Sequence, residues 1–148
     1  MTGSDSVLPD ANLWLALLSP KHRALRFARD WLRKHLEASL VFCRFTQMAL
    51  LRHVTTAAIM IPNVLIQIAA RKKYERLLAR NDITFLGEPD GVKIRWRNHP
   101  QQNQAAAKLR TDAYLVSFAM SHGLQFVTFG QGLSRYTGAG MQILKAES

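Results

Sequence analysis

The sequence has little cysteine and no long apolar run, and each shortage excludes a class of protein. Cys43 is the only cysteine, so the chain forms no internal disulfide and no cysteine-rich zinc site. No stretch reaches the roughly 18–20 uninterrupted apolar residues that a membrane-spanning helix needs. Residues 1–5 are polar and lack the basic and apolar regions of a secretion signal. These absences predict a cytoplasmic protein with no membrane segment.

Acidic residues are also scarce. Asp and Glu number 10 against 20 Lys and Arg, which gives a formal charge of +10 on 148 residues. Such an excess favours a polyanion or an acidic protein as partner, although solubility alone remains an alternative. Many of the bases fall in residues 21–34 and 71–80, where apolar residues recur at helical spacing. We therefore expect solvent-facing sides of core-packed helices first, and a binding surface second.

Short apolar strands alternate with segments of helical periodicity. The predicted strands are 6–9, 39–43, 83–86, 124–129 and 141–145. The predicted helices are 12–18, 22–36, one with Thr46 as N-cap, one from Pro62 to about Arg80, and 104–122. Residues 87–103 are predicted to form an irregular loop. This alternation predicts an α/β fold with a mainly parallel central sheet, and the absence of a linker predicts one domain over residues 1–148.

Two carboxylates stand out in this arrangement. Asp10 directly follows the first strand, and Asp112 lies on the polar side of the last helix. Ligands of open α/β sheets collect beyond the carboxyl ends of the strands, and paired carboxylates suit a hard cation such as Mg²⁺ or Mn²⁺. For each residue alone the structural alternative is stronger: Asp10 as a turn or N-cap residue, and Asp112 as a residue near a helix start or bend.

Four segments together resemble one family. They are Leu8–Leu18 (LPDANLWLALL), Phe45–Arg52 (FTQMALLR), Thr111–Val116 (TDAYLV) and Phe126–Gly130 (FVTFG). Each is weak alone, but their order and spacing resemble the elements of the PIN domain across nearly the whole chain. Within that family the chain looks like the ribonuclease toxin of a VapBC-type toxin–antitoxin pair.

The resemblance implies a fold and an activity. The fold is a PIN-like α/β/α sandwich, and the activity is that of an endoribonuclease in which a metal-activated water attacks the RNA phosphodiester. By match, Asp10 and Asp112 are the ligands of Mg²⁺ or Mn²⁺. Asn12 orients the first loop, Gln47 shapes the site, and Thr128 supports the site through its hydroxyl. The expected partners are RNA, a cognate antitoxin and a second copy of the chain.

The chain departs from the family pattern at two positions. Gln47 stands where the second element usually carries an acid, and Gly130 stands where the fourth element usually carries Asp. Glu88 or Asp90 could fold inward and compensate, although exposed loop acids are the simpler interpretation. An alternative function therefore stays open: a PIN-fold protein with a degenerate metal site that binds RNA or a protein partner without efficient cleavage.

The candidate nucleic-acid contacts are Arg52, Arg95, Trp96 and Arg97. Trp96 stands between two arginines, and aromatic and guanidinium planes together stack on unpaired bases. The alternative is a surface aromatic residue that covers the edge of the core, and the sequence does not separate the two.

Overall fold

A computed structural model describes residues 6–18, 25–35, 37–56, 65–97, 107–128 and 141–143. Its strands are β1 (Ser6–Pro9), β2 (Ser39–Phe42), β3 (Ile83–Phe85), β4 (Gln125–Thr128) and β5 (Met141–Ile143). Its helices are α1 (Ala11–Leu18), α2 (Leu25–Lys34), α3 (Arg44–Val54), α4 (Gln67–Leu78), α5 (Val92–Arg97) and α6 (Ala107–His122). None of the helices described is long and apolar enough to cross a membrane.

The five described strands form one sheet in the order β3-β2-β1-β4-β5, and every neighbouring pair is parallel. Strand β1 is central, with Val7 opposite Leu40 on one side and Gln125 on the other. The chain proceeds outward from β1 through β2 and β3, and then continues on the other side of β1 with β4 and β5. The strand order therefore reverses between β1 and β4.

Alternate residues of the central strands serve two different cores. Val7, Phe42 and Val127 pack with side chains of α1 to α4 on one face of the sheet. Leu8 and Phe126 pack on the other face, against α6. Successive strand side chains point to opposite faces, and strands covered on both faces are mostly apolar, as Val7–Leu8, Leu40–Phe42 and Phe126–Val127 are. The predicted α/β/α sandwich with a parallel central sheet is confirmed.

An aromatic stack anchors the first of these cores. The rings of Trp14 and Phe42 lie parallel with centroids 3.9 Å apart, and Tyr74 meets Phe42 edge-on at 4.9 Å. The three side chains join α1, β2 and α4, and all are buried. Because Trp14 comes four residues after Asp10, this stack holds the first turn of α1 firmly against the end of the sheet.

The predicted cap of α3 is wrong by three residues. The helix begins at Arg44, with Cys43 as N-cap in an extended conformation, and Thr46 is its third residue. The hydroxyl of Thr46 accepts a hydrogen bond from the Cys43 amide at 3.0 Å. Thr46 thus satisfies a backbone donor from inside the helix, which is the reciprocal half of a capping box.

Two further boundaries differ from prediction. Residues 87–103 are not irregular throughout, because Val92–Arg97 forms the short helix α5, with Val92 almost fully buried. Tertiary packing on α6 stabilises a helix too short to form alone. The predicted helix from Pro62 to about Arg80 is not continuous, because Ile66 is extended and α4 spans Gln67–Leu78; Pro62 itself lies outside the described residues.

Candidate metal and nucleic-acid site

The strand order reverses between β1 and β4. In open parallel sheets, ligands bind beyond the carboxyl ends of the strands at such a switch point. Asp10 is the residue immediately after β1, and Thr128 is the last residue of β4. The Asp10 amide donates to the Val127 carbonyl at 2.8 Å, which ties the end of β1 to β4.

Both carboxylate oxygens of Asp10 are engaged. Oδ1 accepts a hydrogen bond from the Ala11 amide at 2.7 Å, and Oδ2 accepts one from the Thr128 hydroxyl at 2.7 Å. Asp10 is 8% exposed and Thr128 is fully buried. Asp10 occupies the N-cap position of α1, since its carbonyl accepts from Leu13 and Trp14. Burial and two short hydrogen bonds fix the carboxylate, and each oxygen keeps a second lone pair for a cation.

Asp112 is buried on α6, with 7% of its surface exposed. Only Gly123 and Leu124 separate α6 from β4, so the helix ends beside the amino end of that strand. At about 1.5 Å per residue, Asp112 stands roughly 15 Å back from His122. Strand β4 is about 10 Å long at roughly 3.3 Å per residue, which brings Asp112 to about the level of the strand's carboxyl end. From these lengths we expect Asp112 at the same edge of the sheet as Asp10.

The oxygen donors of this site suit a hard divalent cation that keeps part of its coordination shell for water and substrate. Asp10, Asp112 and the hydroxyl of Thr128 offer oxygen, the ligand that Mg²⁺ and Mn²⁺ prefer. Among the residues that the structure describes, no three His, Cys, Asp or Glu side chains are grouped closely enough to cage an ion. Mg²⁺ commonly takes only one or two carboxylates and completes its shell with water and substrate phosphates.

The side chain of Gln47 is hydrogen-bonded to Arg44, a residue that the sequence patterns did not indicate. The amide oxygen of Gln47 accepts a hydrogen bond from the Arg44 guanidinium, which also lies 4.7 Å from the Phe85 ring centroid. Arg44 follows the end of β2 by two residues and is exposed. Its position after a buried strand, three residues before Gln47, is the only signal that the sequence offered. Where the family usually carries an acid, this chain therefore presents an amide paired with a cation.

His53 is a second residue that the sequence patterns missed. Its Nδ1 is buried and finds no hydrogen-bond partner among the described residues. Burial lowers the pKa of His53, the Arg52 charge lowers this pKa further, and the Asp10 carboxylate acts in the opposite direction. The imidazole therefore lies within electrostatic range of Asp10. Its spacing of three from buried Leu50 could have placed it on the inner side of α3.

The two loop acids are exposed, and one of them is bonded to α6. Glu88 accepts a hydrogen bond from the Tyr114 hydroxyl at 2.7 Å. Burial raises the pKa of Tyr114 well above its usual range, and the hydrogen bond to Glu88 adds to this effect. Asp90 is exposed at a turn. Glu88 therefore fixes the loop that precedes α5 against α6.

The remaining candidates fall in three places. Asn12 is half-buried as the second residue of α1, close in sequence to Asp10. Arg52 is exposed on α3, whereas Arg95, Trp96 and Arg97 are exposed together on α5. Gly130 lies outside the described residues.

A parallel sheet covered by helices on both faces, with a buried acid at its switch point, defines an α/β protein with a ligand site at the carboxyl edge. The PIN domain model matches residues 7–139, so the chain belongs to the PIN domain family. Ribonuclease VapC41 of Mycobacterium tuberculosis is 32% identical over 143 residues, covering 93% of this chain and 98% of the relative. Ribonuclease VapC44 of the same species is 30% identical over 130 residues, covering 86% and 87%.

Proposed function

We propose that the chain is a divalent-metal-dependent endoribonuclease, the toxin of a toxin–antitoxin pair. The observation that carries the proposal is the fixed, buried carboxylate of Asp10 at the switch point of a PIN-family sheet. The names of the two relatives, both ribonucleases, support RNA as the substrate. The charge of +10 suits a polyanionic substrate.

In this proposal each residue has a defined task. Asp10 and Asp112 hold Mg²⁺ or Mn²⁺, which when bound supplies an activated water and neutralises charge on the phosphodiester. The Thr128 hydroxyl orients the Asp10 carboxylate, and Asn12 orients the turn behind it. Gln47 contributes shape and polarity, but no charge, to the wall of the site.

The depleted acid set supports a second candidate function. Gln47 is bonded to Arg44, and the described residues hold no group of three metal-binding side chains. These two observations favour a protein that binds RNA or a protein partner and cuts poorly. The two candidates differ in one respect, which is metal-dependent cleavage.

The deciding experiment measures cleavage of RNA by the purified chain, with and without a chelator. We expect cleavage in Mg²⁺ or Mn²⁺, its loss on chelation, and its loss in Asp10→Asn and Asp112→Asn. Asp30→Asn is the matched control, because Asp30 is a solvent-exposed acid on α2 that pairs with Arg33. Metal-independent cleavage would contradict the metal site, and RNA binding without cleavage would favour the second candidate.

We also propose a cognate antitoxin and a homodimer, both of which the family resemblance suggests. An antitoxin segment that is acidic or amphipathic would complement the +10 charge of this chain. Co-expression with the product of an adjacent small gene should yield a stable complex that does not cut RNA. Native mass measurement should show two copies of the chain, whereas a monomer at all concentrations would contradict the dimer.

A further inference from the structure

The three tryptophans differ sharply in exposure. Trp14 and Trp31 are core residues with 1% and 4% of their surfaces exposed. Trp96 keeps 38% of its surface exposed on α5. Because a large aromatic side chain gains from burial, one that remains this exposed on an ordered helix suggests a binding role.

The ring of Trp96 is held in place by its neighbours. Trp96 follows buried Val92 by four residues, so both lie on the side of α5 that packs on α6. Tyr114 meets the Trp96 ring nearly at right angles, with centroids 5.6 Å apart. The Tyr114 hydroxyl is in turn bonded to Glu88 at 2.7 Å. The indole is therefore oriented before any ligand arrives, which lowers the entropic cost of binding.

The position of this ring relates it to the proposed active site. Tyr114 comes two residues after Asp112, in the half of α6 that lies toward the carboxyl edge of the sheet. Since Trp96 contacts Tyr114, α5 presents its exposed indole near that same edge. An RNA strand that reaches Asp112 can therefore pass α5.

The charged residues of α5 are all basic. Arg95 and Arg97 flank Trp96 in sequence and are exposed, as is Lys93 one turn earlier. Guanidinium groups bind phosphates through paired hydrogen bonds, and an aromatic face between them stacks on a base.

We propose that Trp96 stacks on an unpaired base of the RNA while Arg95 and Arg97 hold the adjacent phosphates. The inference rests on the proposed ribonuclease function and adds to it a base-contacting residue, Trp96, that lies outside the metal site. A base within a duplex has both faces covered by its neighbours, so it cannot stack on Trp96.

The test measures binding of short single-stranded RNA to the full chain, with metal chelated so that the RNA stays intact. We compare Trp96→Leu, which keeps apolar packing but removes the aromatic face, with Trp96→Phe, which keeps an aromatic ring. Ile94→Ala is the matched control, because Ile94 is 66% exposed on the same helix. A second RNA of the same length with abasic positions carries the phosphates without the bases.

We expect Trp96→Leu to bind base-bearing RNA about tenfold more weakly than wild type, in line with the usual contribution of one stacked base. Trp96→Phe should lose less affinity, Ile94→Ala should bind as wild type does, and wild type and Trp96→Leu should bind abasic RNA alike. In the unaltered protein, single-stranded RNA should quench the fluorescence of exposed Trp96, and a duplex should not. This readout needs no variant and so does not depend on variant folding.

Two results would overturn the inference while leaving the ribonuclease proposal intact. One is unchanged affinity of Trp96→Leu for base-bearing RNA, with cleavage retained, which would mean that only phosphates are bound. The other is a loss of binding to a protein partner in Trp96→Leu with RNA binding unaffected. If the wild-type chain neither binds nor cuts RNA, the proposed function fails together with the inference.

Discussion

Replacing Thr128 with valine tests the contact on which the candidate site is built. The side chain of valine is close in size to that of threonine, so the main loss is the hydroxyl that donates to Asp10 Oδ2 at 2.7 Å. Thr128 is fully buried and Asp10 is 8% exposed, so bulk water cannot readily replace this donor. The substitution therefore leaves one carboxylate oxygen without its partner inside the protein.

The expected cost follows from the charge and burial of the acceptor. A hydrogen bond to a charged group contributes about 1.5–3 kcal/mol, more than one between neutral groups. We expect Thr128→Val to lower the free energy of unfolding by about 2 kcal/mol. At roughly 2–4 °C per kcal/mol for a protein of about this size, the melting temperature should fall by about 4–8 °C. Thr128→Ser, which keeps the hydroxyl, should lose less.

Urea unfolding with and without Mn²⁺ measures both the bond and its effect on metal binding. Ser117→Ala is the matched control, because the Ser117 hydroxyl is fully buried but donates to the neutral Ala113 carbonyl, within its own helix. That variant should lose about 1 kcal/mol or less and keep its stabilisation by Mn²⁺. Thr128→Val should be stabilised less by Mn²⁺, since the Asp10 carboxylate is less well oriented.

A double-mutant cycle with Asp10→Asn isolates the pair. The two substitutions should be strongly non-additive, because either one removes the same charged interaction. Additive effects, or a Thr128→Val variant as stable as wild type, would show that the Thr128 hydroxyl does not stabilise the Asp10 carboxylate.

Three further predictions concern pH, salt and the family's fourth acid. Burial and Arg52 lower the pKa of His53 below 6.5, so as the pH falls the imidazole is protonated in the unfolded chain before it is protonated in the folded one. Acidification from about pH 7.5 to 5.5 should therefore lower the free energy of unfolding of wild type more than that of His53→Gln, and an equal loss in both proteins would contradict the lowered pKa. RNA affinity should fall steeply with salt, and Arg95→Ala should reduce the slope of log binding constant against log salt concentration by about 0.7, the value for one phosphate contact on a single strand. An affinity that does not change with salt would count against a phosphate-binding surface. Gly130→Asp should tighten Mn²⁺ binding by titration calorimetry and raise cleavage, whereas Gly130→Asn should do neither; equal values for all three proteins would show that the position does not face the site.

The central part of the sheet could be predicted because most residues of β1, β2 and β4 are buried. The stretch Leu40–Phe42 is short, apolar and bounded by polar Ser39, so its type is clear from the sequence. The start of α3 was harder, because Thr46 is a good N-cap by residue type. Its hydroxyl instead caps from the third helical position, which depends on the conformation of Cys43. Helix α5 could not be predicted, since packing on α6 rather than its own sequence stabilises it.

The sequence could place a site residue only where that residue stands directly next to a recognisable strand or motif. Asp10 follows a strand directly, so its place at the sheet edge could be expected. Its partner Thr128 lies 118 residues away, so only the family resemblance indicated its hydroxyl, and the parallel pairing of β1 with β4 brings the two side chains together. Arg44 and His53 escaped notice because each looks like an ordinary surface residue until the orientation of α3 is known.

Anomalous diffraction from crystals grown in Mn²⁺ shows whether Asp10 and Asp112 hold one divalent ion. We expect a single anomalous peak at the carboxyl ends of β1 and β4, about 2 Å from an oxygen of each carboxylate. The peak should disappear in Asp112→Asn crystals grown in the same way. A peak that contacts neither carboxylate, or that persists unchanged in the variant, would show that Asp10 and Asp112 do not share an ion.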